Sequence, residues 1–305
     1  MGHGRWRAED WTGYAKRNAG RSREQVFASR KLDPRFDPAQ VAIREARDGP
    51  LNPQSTAIVL ASDVTGSMGV IAEQMIRSGL DTTMREILER KPVPDPQVMA
   101  MAIGDAECDR APLQVTQFEA DIRLAEQLQE LWIEGGGGGN RGESYHLAWA
   151  FAAMRTSIDC FERRRKKGYL FTIGDEPILP GVSGANLSRV LGGAFPGGLT
   201  SADMLGMASR TWDAFHILLT TVGWSSTPAG RDYAMRTWTP LLGQRVLPCD
   251  DPARVAEIVV SAIQVNEGAD ADSVAASWGG ATGRTVAGAL KALPAPGSRR
   301  FPYFL

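Results

Sequence analysis

Asp63, Thr65 and Ser67 are spaced two residues apart in the stretch Asp63-Val64-Thr65-Gly66-Ser67. One carboxylate and two hydroxyls on a short turn are hard oxygen donors, the kind Mg2+ and Mn2+ prefer. Two other segments offer similar atoms. The glycines 135 to 139 run without a break into Asn140, Arg141, Gly142, Glu143 and Ser144. Farther on, Phe171-Thr172-Ile173-Gly174-Asp175-Glu176 closes on paired carboxylates. No zinc-ligand spacing, cysteine nucleophile or Ser/His/Asp set stands out elsewhere.

Such donors need a scaffold that brings them together, and the flanking patterns predict one. Ala57 to Ser62 has strand character. Met68 to Arg90 has helical character, with Ile71, Met75, Ile76, Leu80, Met84, Ile87 and Leu88 on one face and Pro92, Pro94 and Pro96 behind it. Further strands are predicted at Val98 to Gly104, Leu113 to Phe118, Tyr169 to Gly174, Phe215 to Thr220 and Arg245 to Leu247. The alternation in Leu113 to Phe118 suits a sheet edge. Helices are predicted at Asp121 to Trp132, Gly142 to about Phe161, Ala185 to Leu191, Ser201 to Arg210 and Pro252 to Val265, with a weaker one near Thr285 to Leu293. This alternation predicts an α/β fold: a doubly wound, mostly parallel sheet with one antiparallel edge strand and helices on both faces. In open sheets of that kind ligands bind beyond the carboxyl ends of the strands. All three donor segments lie at a strand end or a helix start.

The chain divides into an Arg-rich N-terminal arm (1–55), a main domain (56–268) carrying an insertion (177–212), and a Gly/Ala-rich C-terminal extension (269–305). Residues 1–35 hold nine Lys/Arg against four Asp/Glu, while the whole chain has a formal charge of −1. A solvated terminus is predicted there, with one short helix from Pro38 to Arg47 capped by Asp37. Neither nucleic acid nor membrane is an expected partner: the overall charge is near neutral, and no run of about 18 apolar residues occurs. The N-terminal residues form neither a secretory signal nor a myristoylation site. Three widely spaced cysteines, Cys108, Cys160 and Cys249, fit a reducing compartment, so the cytoplasm is expected.

Asp63-Val64-Thr65-Gly66-Ser67, with the second and third segments in their order, resembles the metal-ion-dependent adhesion site of von Willebrand factor A domains. The resemblance covers roughly residues 55 to 265. It implies a Rossmann-like fold in which the hydroxyls of Thr65 and Ser67 bind Mg2+ or Mn2+ directly, Asp63 and Asp175 hold it largely through water, and the second loop adds a ligand. The usual Gly-Gly-x-Thr is absent from that loop. Asn140 stands near the place of the Thr, with Glu143 three residues on, closer to a form in which Asp and then Glu follow the glycines. The function implied is non-catalytic, metal-dependent protein binding, in which the cation takes an Asp or Glu of a protein partner as its last ligand. Intracellular bacterial relatives often serve AAA+ ATPase systems, which makes such a system a candidate partner.

Several features have rival readings. Asn140 and Glu143 also fit a capping box, with Asn140 capping the helix and Glu143 reaching back. The pentaglycine can approach an anion closely, but no Gly-Lys-Ser/Thr follows to make it a P-loop. Asp105 and Asp109 suit either an acidic rim or a solvated loop. Arg163 to Lys167 looks like a nucleic-acid patch, yet cations at a helix end also offset its dipole. His146, His216 and the tryptophans 132, 149, 212 and 238 read as structural. The rival enzyme is a haloacid-dehalogenase-like, Mg2+-dependent phosphohydrolase using Asp63 as nucleophile. That family wants a second Asp two residues later, where this chain has Thr65, and no basic phosphoryl-stabilising residue is evident.

Overall fold

Six strands pair into one sheet in the computed structural model, which describes residues 4–18, 21–27, 29–66, 80–136 and 139–293. In chain order the main elements are α1 (Ala8–Asn18), β1 (Thr56–Asp63), α2 (Leu80–Arg90), β2 (Pro96–Ile103), β3 (Leu113–Val115), α3 (Arg123–Glu130), α4 (His146–Met154) and β4 (Gly168–Gly174). There follow α5 (Gly184–Leu191), α6 (Ser201–Ala208), β5 (Trp212–Leu219), α7 (Pro228–Leu242), β6 (Val246–Cys249), α8 (Val255–Asn266), α9 (Ala271–Ala276) and α10 (Gly280–Leu290).

The sheet order is β6-β5-β4-β1-β2-β3. All pairings are parallel except that of β3 with β2, which is antiparallel at the edge. From β1 the chain builds outward through β2 and β3, then returns to place β4 on the other side of β1. The carboxyl ends of β1 and β4 therefore flank the switch point where an open sheet leaves a crevice. Along β1, successive side chains alternate between faces: Ile58 and Leu60 join one apolar core, and Ala57, Val59 and Ala61 join the other. Helices α2, α3, α8 and α10 cover the first face, and α4 to α7 the second.

Two helices explain why the flanking segments pack down. In α8, Val255 to Ile263 are buried without a break, and in α4 so are His146 to Ala152. A helix apolar all round needs cover on its outer side as well as on the sheet side. Helices α9 and α10 supply it for α8, through Val274, Ala275, Val286, Ala289 and Leu290. On the other face α6 packs against α4 and buries Met204 and Ala208, while α5 buries Leu187, Val190 and Leu191 in the same core. Segments 177–212 and 269–293 thus complete the two cores. The N-terminal arm does likewise: Trp6, Trp11, Tyr14, Val26, Phe27 and Phe36 lie in the first core, where a solvated terminus was predicted.

Other elements depart from expectation. No helix forms at 38–47. The Asp37 side chain caps a single turn by accepting from the Ala39 amide, and Arg44–Ala46 then extends as a strand. That strand pairs in parallel with Thr156–Ile158, which ends α4 at Met154 instead of near Phe161. Local propensity yields here to a long-range pairing that β-branched Thr156 and Ile158 favour. Helix α7 lies where no helix was predicted. Its inward residues Ala234, Trp238 and Leu242 are spaced by four, but many polar residues and Pro240 mask the pattern. The predicted residues Met68 to Gly79 lie outside the described residues.

The basic run is largely used within the fold. Arg163 and Arg164 pair with Asp48, Arg163 also with Asp159, and Lys166 with Glu267, while Lys167 donates to the Ser209 carbonyl. Among the described residues no helix is long and apolar enough to cross a membrane. All three cysteines are free, Cys108 exposed and Cys160 and Cys249 buried.

Candidate metal centre

Asp63 is the last residue of β1 and is fully buried. The turn that follows folds back on it: the Thr65 amide donates to Asp63 Oδ1 at 2.8 Å, and the Thr65 hydroxyl lies 2.7 Å from the same oxygen. Thr65 Oγ1 is also 3.1 Å from Glu143 Oε1, although the two residues are 78 positions apart in the chain. The second loop is brought here by backbone bonds. The Gly66 amide donates to the Gly136 carbonyl at 2.8 Å, the Glu143 amide to Pro177, and the Leu179 amide back to Glu143.

A hydroxyl carries one hydrogen, so Thr65 can donate to only one of the two carboxylates beside it. The remaining close oxygen pair needs a proton or a cation. Glu143 is 1% exposed, and its second oxygen, Oε2, is buried without a hydrogen-bond partner among the described residues. Burial and the charge of Asp63 push the Glu143 carboxyl well above the usual range, with Glu176 and Asp105 adding to the effect. Burial also raises Asp63, reinforced by Asp175 and Glu176 and opposed by the Thr65 bonds. Glu176 is pushed up to about 7, chiefly by burial and then by Asp175 and Asp105.

The remaining predicted ligands are placed as follows. Asp175, fully buried just beyond β4, accepts from the Trp224 amide through Oδ2, and its carbonyl accepts from the Ser225 hydroxyl. Asn140 turns its amide nitrogen to Asp105 Oδ2, which leaves its Oδ1 buried and without a partner among the described residues. The capping box does not form: α4 starts at His146, Asn140 lies outside it, and Glu143 faces Thr65. Ser67 lies outside the described residues, as do Gly137 and Gly138. Among the described residues no group of three His, Cys, Asp or Glu side chains is arranged to hold a metal without other donors. The grouping of Asp63 and Glu143 around Thr65 is a mixed set of carboxylate and hydroxyl oxygens, which suits a hard divalent ion.

Asp105 and Asp109 form no solvated loop. Both are buried, the Asp105 amide donates to Asp109 Oδ2 at 2.7 Å, and the Ala106 amide donates to Ser144 Oγ at 2.9 Å. Arg189 of α5 reaches the carbonyls of Ala106 and Asp109, so the insertion braces this loop. His146 and His216 are buried and held neutral by desolvation, His146 with its pKa lowered to about 3.

Two participants escaped the sequence reading. Tyr145 donates its hydroxyl to Asp63 Oδ2 at 3.1 Å, and nothing in Glu143-Ser144-Tyr145-His146 announces this. The Trp224 amide on Asp175 belongs to a short 3-10 turn (Gly223–Ser226), and a backbone donor leaves no mark in side-chain pattern.

No family model matches the chain, and no curated protein does. Among solved structures it is similar to the pilus adhesin SpaC from Lactobacillus rhamnosus GG in its open conformation. The TM-score is 0.47 at 7% identity, over 73% of this chain and 31% of that one. A second form of the same adhesin gives a TM-score of 0.47 at 9% identity, over 73% and 32%. The chain thus spans about a third of the adhesin's length, and a likeness at this level fixes neither a family nor a function.

Proposed function

We propose that this chain is a divalent-cation-dependent, non-catalytic protein-binding module of the von Willebrand factor A type. Mg2+ or Mn2+ would be held by Asp63, Thr65 and Glu143, with Ser67, Asn140 and Asp175 as further donors. The observation that carries the reading is the Thr65 hydroxyl between two buried carboxylates, with Glu143 Oε2 left unpartnered among the described residues. A cation there relieves an arrangement that otherwise needs a proton. The strand order and the antiparallel edge strand agree with the fold that the resemblance implies. When bound, the ion supplies an electrophilic site for an Asp or Glu of a protein partner, and an AAA+ ATPase system is the first partner class to test.

The phosphohydrolase reading has weaker support. Asp63 is 0% exposed and both its oxygens accept hydrogen bonds, which leaves a poor nucleophile, and position 65 offers no acid/base carboxylate. Calorimetric titration of the chelator-stripped protein with Mn2+, followed by acetate as a carboxylate probe, tests the proposal. Saturable Mn2+ binding that acetate perturbs supports it. Absence of Mn2+ binding, or Mg2+-dependent turnover of phosphomonoesters that is lost in Asp63→Asn, overturns it.

A further inference from the structure

We infer that Tyr145 is a positioning residue for the cation site, fixing Asp63 and tying the β1 end to the β4 end across the switch point. The inference rests on the cation reading above and adds a residue to it.

Three observations carry it. The Tyr145 hydroxyl is buried between the two strand ends: it donates to Asp63 Oδ2 at 3.1 Å and accepts from the Glu176 amide at 3.4 Å. Asp63 Oδ1 is already occupied by Thr65, so Tyr145 fixes the second oxygen and hence the rotation of the carboxylate. The phenol itself has little freedom. Its ring centroid lies 5.2 Å from that of His216 and 5.2 Å from that of Trp238, which is in turn stacked on His216 at 3.5 Å. Space for the hydroxyl depends on Gly174, because a Cβ at that position would collide with it. A glycine at the end of a central strand weakens the strand, and here it makes room for the hydroxyl that reaches Asp63.

A partner that orients a ligand is worth about 10- to 100-fold in metal affinity when removed. Mg2+ demands near-octahedral geometry, while Ca2+ tolerates irregular sites. Loss of positioning should therefore weaken the smaller ions more than Ca2+, whereas a general loss of structure would weaken both alike.

The test titrates the full chain with Mn2+, Mg2+ and Ca2+ separately. Tyr145→Phe is expected to weaken Mn2+ and Mg2+ by about 10-fold and Ca2+ by less than about 3-fold. Gly174→Ala, made independently, displaces the hydroxyl from the other strand and should give the same pattern. The double variant should be no worse than the weaker single one. Unchanged Mn2+ affinity in Tyr145→Phe, or equal weakening of all three ions, overturns the inference. Asp63→Ala separates the two ideas. If it binds Mn2+ like the wild type, the cation reading itself falls; if it loses Mn2+ while Tyr145→Phe retains it, only the role of Tyr145 falls.

Discussion

Near the amino ends of β1 and β4, Asp159 is 2% exposed and meets Arg47 at 2.8 Å and Arg163 at 3.2 Å, while the Asp48 amide donates to it at 2.8 Å. At the carboxyl ends of the same strands, Asp63 and Glu143 are buried as deeply, yet among the described residues the side chains that hydrogen-bond them are Thr65 and Tyr145, neither of them cationic. A buried carboxylate is tolerated when paired and is costly when left alone. One end is complete without help, and the other is without a positive charge among the described residues. The difference supports the proposed site more sharply than acidity does, since both ends are acidic.

The largest effect should come from removing Asp63, the proposed ligand at the second end. Asp63→Ala is expected to weaken Mn2+ by at least about 100-fold in calorimetry, beyond what outer positioning groups contribute. Circular dichroism should show the sheet retained, because β1 keeps its apolar residues. Wild-type affinity would end the contrast between the two ends.

At the paired end the response should appear in stability. Arg47→Ala strips one cation from Asp159 and should cost about 2 kcal/mol in urea unfolding, below the value for a wholly buried pair because Arg47 is 34% exposed. Metal should leave that loss unchanged.

The same kind of change at the unpaired end should have the opposite sign. In chelator, Glu143→Gln removes an uncompensated carboxyl and should stabilise the protein by about 1 kcal/mol. Saturating Mg2+ should reverse the order, because a ligand at ~100 times its Kd adds about 2.7 kcal/mol to the protein that binds it. If Glu143→Gln destabilises the protein in chelator, the carboxyl is already satisfied and the two ends are alike.

The pH dependence sharpens the same contrast. Asp63, Glu143 and Glu176 are raised above ordinary values of 3.8, 4.5 and 4.5, so the stability tied to their neutral forms is complete below those values. It is lost as pH climbs through the folded values, near 7 for Glu176. Glu162 at the paired end is lowered by Ser157 and Arg47, so its contribution is present above 4.5 and lost as pH falls. Thermal melts in chelator should decline from about pH 4.5 to pH 7 and above, and Mg2+ should flatten that decline. A metal-free protein that gains stability over this range would contradict the assignment.

The smallest effect is expected at the surface. Lys166→Ala breaks a pair with Glu267 in which both side chains are about a third exposed, so it should change stability by no more than about 0.5 kcal/mol.

Much of the sheet was legible in the sequence because consecutive apolar residues in β1, β2 and β4 have one stable use, a strand covered on both faces. The short segment at Leu113 was legible as an edge for a different reason, its alternation of apolar and polar residues. The covering segments were not legible. Trp6 lies between Arg5 and Arg7, Trp11 follows Glu9 and Asp10, and the link around Leu187 and Met204 is rich in glycine, so local composition reads as solvated. Their burial follows from the need of α4 and α8 for cover on the outer side. One consequence is that deleting Ser183 to Gly198 would remove Leu187, Val190 and Leu191 from the second core, at about 1.5–3 kcal/mol for each aliphatic side chain exposed.

The sequence by itself determined an α/β chain whose oxygen donors gather at strand ends, because hydrophobic period and turn residues are local properties. It could not decide between Asn140 and Glu143, since three residues of a glycine-rich loop can turn either way. Tertiary structure sets the two side chains apart: backbone bonds from Gly66 to Gly136 and between Glu143 and the Pro177–Leu179 segment bring Glu143 to Thr65, while Asn140 turns to Asp105. It also brought in Tyr145, whose bond to Asp63 spans 82 residues and depends on the missing side chain of Gly174. A contact between distant segments is set by how the sheet stacks its strands, which no local pattern records.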